Sequence, residues 1–230
     1  MTEKIKAIIW DLDGTLIDFK INSIEARRKA IKILRSYGIP KKQLSIRKSI
    51  LENVKHSRLI FKENGVSSEE IQKMINEVNK AVIRVEHKAA LKASLTKGIE
   101  KVLEFIQNNM IKQAIFTYNT HENAVLSLQT TNIEKYFELI VGRDDVNNLK
   151  PHPDHLKTIC ERLNVEFNDI IVIGDTDTDI EAALNIGSYC IALKTDIPKF
   201  IRRNAFEKAN KIIDAKEIPN ALIKAIKEFI

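Results

Sequence analysis

The sequence predicts a doubly wound α/β fold, a parallel sheet flanked by helices, with a helical insert after the first strand. After Thr96, short apolar segments alternate with amphipathic segments of helical period, the order that gives parallel strands joined by right-handed crossovers. Before Thr96, a single apolar strand is followed by a long stretch without a convincing strand. We therefore expect a core domain of residues 1–15 and 96–230, and a helical cap domain of residues 16–95.

The first strand is predicted over residues 5–10, an isoleucine-rich run that ends at the Asp11–Gly14 cluster. Two helices are expected in the insert. One ends near Gly38-Ile39-Pro40, and the other begins at Ser67-Ser68-Glu69-Glu70, where a capping serine precedes early-turn carboxylates. The apolar stripe of the first of these helices consists of Ile24, Ala30, Ile31 and Leu34.

The remaining elements follow in strict alternation. Strands are predicted over residues 113–117, 139–141, 170–173, 188–193 and 211–213. Helices are predicted over residues 99–107, 124–129, 155–163, 180–185 and 218–229.

Length and composition are those of a folded protein. The 230 residues are 44% hydrophobic and 30% charged with only 7 Gly and 5 Pro, which excludes collagen-like and disordered chains. No apolar run approaches the roughly 18 residues of a membrane span, and no signal-peptide cleavage site is apparent, so we expect a cytoplasmic protein without a membrane partner. Cys160 and Cys190 lack metal-ligand spacing and are expected to be reduced, buried thiols.

The positive charge is concentrated in the insert. The chain carries a formal +6, but residues 16–92 hold 18 Lys and Arg against 8 Asp and Glu, a charge of +10, whereas the rest holds 19 against 23. Such a segment attracts nucleic acid, anionic membranes or anionic small molecules, or is simply a solvated lysine-rich surface. Because no aromatic residues interleave with the charges, binding of single-stranded nucleic acid is disfavoured.

Polar clusters follow the predicted strands, and the active crevice of such sheets lies at the carboxyl ends of the strands. We expect these clusters to converge on one rim. The four clusters are Asp11-Leu12-Asp13-Gly14-Thr15, Thr117-Tyr118-Asn119, Lys150-Pro151 and Gly174-Asp175-Thr176-Asp177-Thr178-Asp179.

Together these residues indicate phosphoryl chemistry. Asp11, Asp13 and Asp175 would concentrate negative charge that requires a hard cation, and oxygen ligands suit Mg²⁺. Lys150 and the donors around Thr117 can hold the oxygens of a phosphoryl group. A carboxylate can then act as a nucleophile, with a second one as acid and base.

Each cluster taken alone is a weak signal. Asp-x-Asp-Gly is common in turns because Asp and Gly favour turn geometry. The Asp175-x-Asp177-x-Asp179 run resembles a calcium loop, but the sixth position is Ile180 and the twelfth is Ile186, so that interpretation fails. All four clusters, in this order and at strand ends, rarely coincide.

The chain resembles the haloacid dehalogenase superfamily, specifically its phosphatase branch and the phosphoglycolate phosphatase-like group. Asp11-x-Asp13-Gly14-Thr15 matches the first motif, Thr117 the second, Lys150 the third and Gly174-Asp175-x-x-x-Asp179 the fourth. Lys150-Pro151-His152-Pro153-Asp154 extends the match, and the insert is similar to that group's helical cap in position and helicity, although no specific cap sequence matches.

The resemblance implies a Mg²⁺-dependent phosphatase acting on a small phosphorylated metabolite through an aspartyl phosphate. Asp11 would be the nucleophile, Asp13 the acid and base, and Lys150 would temper Asp11. Asp179 would support either the metal or Lys150, and Asp177 lies outside the essential pattern. The implied phosphate-binding residues are Thr117, Tyr118, Asn119 and Lys150, and the implied metal site comprises Asp11, Asp13 (through its carbonyl), Asp175 and Asp179.

Other functions remain open at this point. A phosphomutase would use the same Asp11 and Asp13, although Thr15 is typical of hydrolase versions of the motif. A dehalogenase is disfavoured because it needs neither Asp13 nor Asp175, and a receiver domain needs only about half this length. A nucleic-acid binder or polynucleotide phosphatase is supported by charge alone. The substrate, the cap residues that set specificity and the oligomeric state are not determined by the sequence; charged candidates near the substrate are Arg47, Lys48, His56, Arg58, His152 and His155.

Overall fold

The computed structural model describes residues 5–18, 23–196 and 204–230. The chain forms two compact units, Met1–Phe19 with Lys92–Ile230, and Lys20–Leu91. The second unit lies within the expected cap of residues 16–95 and is a few residues shorter at each end.

The first unit contains a parallel sheet with the strand order β3-β2-β1-β4-β5-β6. Every neighbouring pair is parallel, and Ile9 of β1 is in register with Ala114 of β2 and Val172 of β4. The predicted fold class is confirmed. The strands are β1 (Ala7–Trp10), β2 (Lys112–Phe116), β3 (Leu139–Val141), β4 (Ile170–Gly174), β5 (Tyr189–Lys194) and β6 (Lys211–Asp214).

The central strands are apolar on both faces because helices cover both. Along β1, Ile8 and Trp10 face one hydrophobic cluster while Ala7 and Ile9 face another, which is the period of two expected of a strand. The described helices of this unit are α4 (Ile99–Asn108), α5 (His121–Thr130), α6 (Asp154–Leu163), α7 (Asp177–Leu184) and α8 (Asn220–Lys227). Helices α4, α5 and α8 supply the first cluster, and α6 and α7 supply the second.

Both cysteines lie in the second cluster. Cys160 of α6 and Cys190 of β5 are buried and free, as expected. Burial raises the pKa of the Cys160 thiol to about 12, so it stays protonated and behaves as a small apolar side chain.

The second unit is helical, with α1 (Ser23–Ser36), α2 (Ile50–Glu63) and α3 (Ser68–Ala90) around a cluster of its own. The Ser67 hydroxyl accepts a hydrogen bond from the Glu70 amide, which confirms the predicted helix start. Ala30 and Leu34 are buried as their stripe predicts, but Ile24 is 51% exposed.

Among the described residues, none of the helices is long and apolar enough to cross a bilayer.

Candidate active site

The predicted clusters meet at one edge of the sheet. Asp11 follows β1, Thr117 follows β2 and Asp175 follows β4, and because the strands are parallel these residues share the carboxyl edge. Lys150, in the segment between β3 and α6, reaches the same place, since its ammonium lies 2.6 Å from Asp11 Oδ1.

Lys150 lies at the centre of a buried ion triad. Its Nζ donates to Asp11 Oδ1 and Asp179 Oδ1, both at 2.6 Å, and more weakly to the carbonyl of Phe116 at 3.3 Å. Burial alone would lower the pKa of Lys150, but the charges of Asp11 and Asp179 outweigh it and hold that pKa above its ordinary value. Lys150 is therefore a permanent cation in contact with Asp11.

Asp11 is held in place by its main chain as well. Its amide donates to the carbonyl of Ile173 in β4 at 2.9 Å, so the residue is tied to the neighbouring strand. Burial raises the pKa of Asp11 to about 6 against the opposing attraction of Lys150. The carboxylate is thus ionised near neutral pH but poorly solvated, which suits a nucleophile.

The turn after Asp11 brings Asp13 and Asp175 into the site. Gly14 has φ +90°, a conformation that favours glycine, and a Cβ built on it would lie 2.6 Å from Asp175 Oδ2. Glycine is therefore required for backbone and carboxylate to approach so closely. The Thr15 hydroxyl donates to Asp175 Oδ1 at 3.4 Å.

The turn after β2 provides donors. The Asn119 amide hydrogen-bonds to Thr117 Oγ1 at 3.1 Å, which forms a tight turn of the kind that can present amides to an anion. The Asn119 side chain donates to Asp13 Oδ2 at 2.5 Å and thereby orients that carboxylate. Tyr118 donates its hydroxyl to the carbonyl of Lys150 at 2.5 Å.

Asp175 and Asp179, which both follow β4, accept hydrogen bonds from different donors. Asp179 accepts from Lys150 on Oδ1 and from the Thr176 amide and hydroxyl on Oδ2, at 3.0 and 2.6 Å. Asp175 accepts from Thr15 and Thr195. Burial, followed by repulsion from Asp11 and Asp179, raises the pKa of Asp175 to about 8.

The donor set fits a hard divalent cation. One carboxylate oxygen each from Asp11, Asp175 and Asp179 lies within 4.8 Å of the others, and all three residues are buried. Lys150 offsets one of the three negative charges that these residues carry when ionised. Burial first, and repulsion from Asp11 and Asp179 second, raise the pKa of Asp175, and a bound cation would stabilise its ionised form. All the side-chain donors are carboxylate oxygens, which suits Mg²⁺ or another oxygen-preferring cation.

Some contacts at the site were not predicted. Thr195 follows β5 and donates to Asp175 Oδ2 at 3.2 Å. The rule that polar residues after strands line the crevice could have identified it. Asp177, which the resemblance leaves outside the essential pattern, accepts a hydrogen bond from the Ala205 amide at 3.2 Å.

Among the described residues, the two histidines that follow Lys150 in the sequence are not hydrogen-bond partners of its ammonium. His152 Nδ1 lies 2.8 Å from Asp154 Oδ1 on the outside of α6. His155 is fully buried with its ring edge-on to Phe116. Burial, reinforced by the charge of Lys150, lowers the pKa of His155 to about 4, so this side chain is neutral at pH 7.

Fold and site together define an enzyme that acts at the carboxyl edge of a parallel sheet. The chain belongs to the haloacid dehalogenase-like hydrolase family, whose model matches residues 8–193.

Comparison with individual proteins agrees with this family. The chain is 31% identical over 187 residues to a phosphorylated carbohydrates phosphatase of Thermotoga maritima, covering 80% of this chain and 82% of that protein. It is 28% identical over 187 residues to the pyrophosphatase PpaX of Listeria welshimeri, covering 80% and 81%. A β-phosphoglucomutase structure from Clostridium difficile has a TM-score of 0.66 at 22% identity, covers 98% of each chain and supports the fold. The predicted enzyme class, a phosphatase of this superfamily, is confirmed.

Proposed function

We propose that this enzyme is a Mg²⁺-dependent phosphatase that hydrolyses a small-molecule phosphate monoester through an aspartyl phosphate on Asp11. The observation that carries the proposal is the buried ion triad, in which Lys150 lies 2.6 Å from both Asp11 and Asp179. It places a fixed cation against an ionisable carboxylate at the edge of the sheet where such sites form.

The first half of the reaction transfers the phosphoryl group to Asp11. A carboxylate oxygen of Asp11 attacks phosphorus, the bond from phosphorus to the ester oxygen breaks, and the electron pair leaves on that oxygen. Asp13 donates the proton that the leaving alcohol requires. The hydrogen bond from Asn119 to Asp13 Oδ2 at 2.5 Å supports this role because it fixes the direction of the carboxyl group.

The second half returns the enzyme to its starting state. Asp13, now a carboxylate, accepts a proton from water as that water attacks phosphorus. The bond from phosphorus to the Asp11 oxygen breaks, which releases inorganic phosphate and regenerates the Asp11 carboxylate.

The remaining residues stabilise charge. Lys150, the Thr117 hydroxyl and the amides of Tyr118 and Asn119 would hold the phosphoryl oxygens. Mg²⁺, bound by Asp11, Asp175 and the Asp13 carbonyl, would neutralise phosphoryl charge and orient the group for in-line transfer. For Asp179, the contacts favour support of Lys150 over metal ligation, since both its oxygens already accept hydrogen bonds.

The names of the relatives, which refer to phosphorylated carbohydrates and to pyrophosphate, support a small phosphorylated compound as the substrate. A suitable screen measures phosphate release from sugar phosphates, phosphoglycolate, pyrophosphate and a 5′-phosphorylated oligonucleotide, with Mg²⁺ and with EDTA. We expect turnover of at least one small phosphate ester with Mg²⁺ and none with EDTA. Absence of Mg²⁺-dependent release from every compound would contradict the proposal.

Replacement of the nucleophile tests the mechanism directly. Asp11→Asn keeps the shape of the side chain but removes the attacking carboxylate, so kcat should fall on the order of a thousandfold or more. Asp177→Asn is the matched control, because its carboxylate lies near the same rim and, within the part of the chain that the structure describes, accepts a hydrogen bond from the Ala205 amide and none from the site residues. We expect the control to retain activity within about twofold and both variants to melt cooperatively. Equal activity of Asp11→Asn and wild type would exclude this mechanism.

A phosphomutase differs only in the acceptor of the phosphoryl group. Product analysis with a sugar monophosphate and trace sugar bisphosphate distinguishes the two activities. We expect inorganic phosphate with oxygen from solvent water; a rearranged sugar phosphate without phosphate release would assign the protein to the mutases instead.

A further inference from the structure

We propose that Tyr118 is a positioning residue for Lys150: its hydroxyl anchors the lysine main chain, and its ring, with that of Phe116, flanks the ammonium. The proposal rests on the proposed function, in which Lys150 contacts the transferring phosphoryl group. It assigns Tyr118 a side-chain role separate from any contact of its amide with phosphate.

Two contacts join Tyr118 to Lys150. The phenol hydroxyl donates to the Lys150 carbonyl at 2.5 Å, and Nζ of the same lysine lies 5.1 Å from the centre of the Tyr118 ring. Nζ also lies 4.1 Å from the centre of the Phe116 ring. These distances fall within the range of cation–π attraction, so both ends of the lysine are restrained by the last residue of β2 and by the turn after it.

Tyr118 is itself fixed by a neighbour. Its carbonyl accepts a hydrogen bond from Arg143 Nη1 at 2.8 Å. The side chain nevertheless remains 40% exposed, unlike Phe116, which is fully buried. An aromatic residue with so much exposure adds less to the hydrophobic core than a buried one, so its contacts with Lys150 account for its position better than core packing does.

The covalent step gives these contacts a function. When a carboxylate oxygen of Asp11 bonds to phosphorus, that carboxylate loses its negative charge as an acyl group, and its attraction for Lys150 weakens. A lysine side chain with four rotatable bonds then tends to regain rotamer entropy by leaving its position. Asp179, the Phe116 carbonyl and the two rings do not change in this step, so they can keep the ammonium against the phosphoryl group.

Paired substitutions separate the hydroxyl from the ring. Tyr118→Phe keeps the ring and removes the hydroxyl, with its hydrogen bond to the Lys150 carbonyl and its contact with Thr178, and should lower kcat/KM about three- to tenfold. Tyr118→Leu also removes the ring and should lower it about 30-fold or more, mainly through kcat. The matched controls are Tyr189→Phe and Tyr189→Leu, because Tyr189 is 38% exposed, packs on Phe229 and begins β5 at the opposite edge of the sheet. They should stay within about twofold of wild type.

A second readout needs no substrate. With ¹⁵N-labelled lysine, the ammonium of Lys150 should give a slowly exchanging NMR signal, because it is buried and bound to two carboxylates. The signal is assigned by its loss in Lys150→Met. We expect it to shift in Tyr118→Phe, to broaden or vanish in Tyr118→Leu, and to stay unchanged in both Tyr189 variants.

The outcomes are distinct. If wild type hydrolyses no phosphate ester, the proposed function fails, and the NMR signal alone then decides whether Tyr118 positions the lysine. If wild type is active, Tyr118 variants with unchanged kinetics and an unchanged signal overturn the proposal. Equal losses in the Tyr118 and Tyr189 variants also overturn it, since they indicate general destabilisation. If Tyr118→Leu does not fold, the milder Tyr118→Phe decides.

Discussion

At the scale of single residues, the buried carboxylates of the site repel one another, and a bound cation would reduce this repulsion. The pKa of Asp175 is raised to about 8 by burial first and by Asp11 and Asp179 second. At Asp175 the folded, metal-free protein therefore binds more protons than the unfolded chain between about pH 4 and 8, and the contribution of this group to stability falls as pH rises through that window. Mg²⁺ should reverse this loss because it stabilises the ionised carboxylates.

The expected result is that Mg²⁺ raises Tm more at pH 8 than at pH 5. A difference of about 2 kcal/mol corresponds to roughly 4–8 °C for a chain of this length. Asp175→Asn removes the group responsible and should abolish most of the difference. The measurement is thermal unfolding with EDTA and with Mg²⁺ at the two pH values; an equal Mg²⁺ effect at both would contradict the pKa assignment.

Some residues of the site were predictable from sequence and others were not. Three of the four clusters directly follow a strand, and the end of a strand fixes where the next side chain lies. The fourth, Lys150-Pro151, comes later in the segment between β3 and α6. The hydrogen bonds from Tyr118 to Lys150 and from Thr195 to Asp175 depend on how separate loops approach one another. Spacing along the chain does not carry that information, and the burial of His155 against Phe116 depends in the same way on packing of α6 on the sheet.

At the scale of elements, the turn after β1 depends on a single glycine. Gly14→Ala would combine an unfavourable φ of +90° with a Cβ 2.6 Å from Asp175 Oδ2. We expect a loss of about 1–2 kcal/mol of stability from the backbone, and a Mg²⁺ requirement raised about tenfold or more because Asp175 must move.

Gly38→Ala separates these two effects. Gly38 has nearly the same φ, +91°, but no atom of the described residues lies within 4 Å of the place that a Cβ would take there. It should lose similar stability and keep its Mg²⁺ requirement. Titration of activity with Mg²⁺ and thermal unfolding of both variants make the comparison, and an unchanged Mg²⁺ requirement in Gly14→Ala would mean that Asp175 tolerates the clash.

Some strands and helices could be predicted from the sequence more accurately than others. The strands of the core were predicted to within a residue or two, since fully buried parallel strands form uninterrupted apolar runs. Helix α2 was not predicted as a separate element because Asn53 and Ser57 occupy its buried face, together with Phe61. The Asn53 amide bonds to the carbonyls of Ser45 and Ser49, so polar side chains replace the apolar stripe that a helix search requires. The capping box of Ser49 and Glu52 was the available signal.

At the scale of the whole molecule, the excess positive charge and the proposed catalytic residues lie in different parts of the chain. All the proposed catalytic residues lie outside Lys20–Leu91, whereas the excess of lysine and arginine falls in residues 16–92. We propose that this insert attracts anionic substrate and recognises its remote part, as a cap would.

The dependence of kcat/KM on ionic strength tests whether the insert attracts the substrate. If the insert steers substrate, kcat/KM should fall several-fold between about 0.01 M and 0.15 M salt, where the Debye length shrinks from roughly 30 Å to 8 Å, while kcat changes little. Replacing Lys41, Lys42 and Lys48 by Gln should flatten the dependence, and replacing Lys208, Lys224 and Lys227 in the other unit should not. A kcat/KM independent of salt would leave the insert a solvated, lysine-rich surface.

The carboxylate of Asp179 has a consequence for how this protein loses activity. One oxygen accepts a hydrogen bond from Lys150, and the other accepts hydrogen bonds from the amide and hydroxyl of Thr176, the N-cap residue of α7. Fraying of the first turn of α7 therefore removes one of the two carboxylates that hold the Lys150 ammonium and leaves the lysine to Asp11 and the Phe116 carbonyl. We therefore expect local unfolding of the first turn of α7 to inactivate the enzyme. In a partly unfolded population, molecules with the frayed turn should be inactive rather than slower or less specific. The residual activity should then equal the fraction of molecules in which the turn is intact.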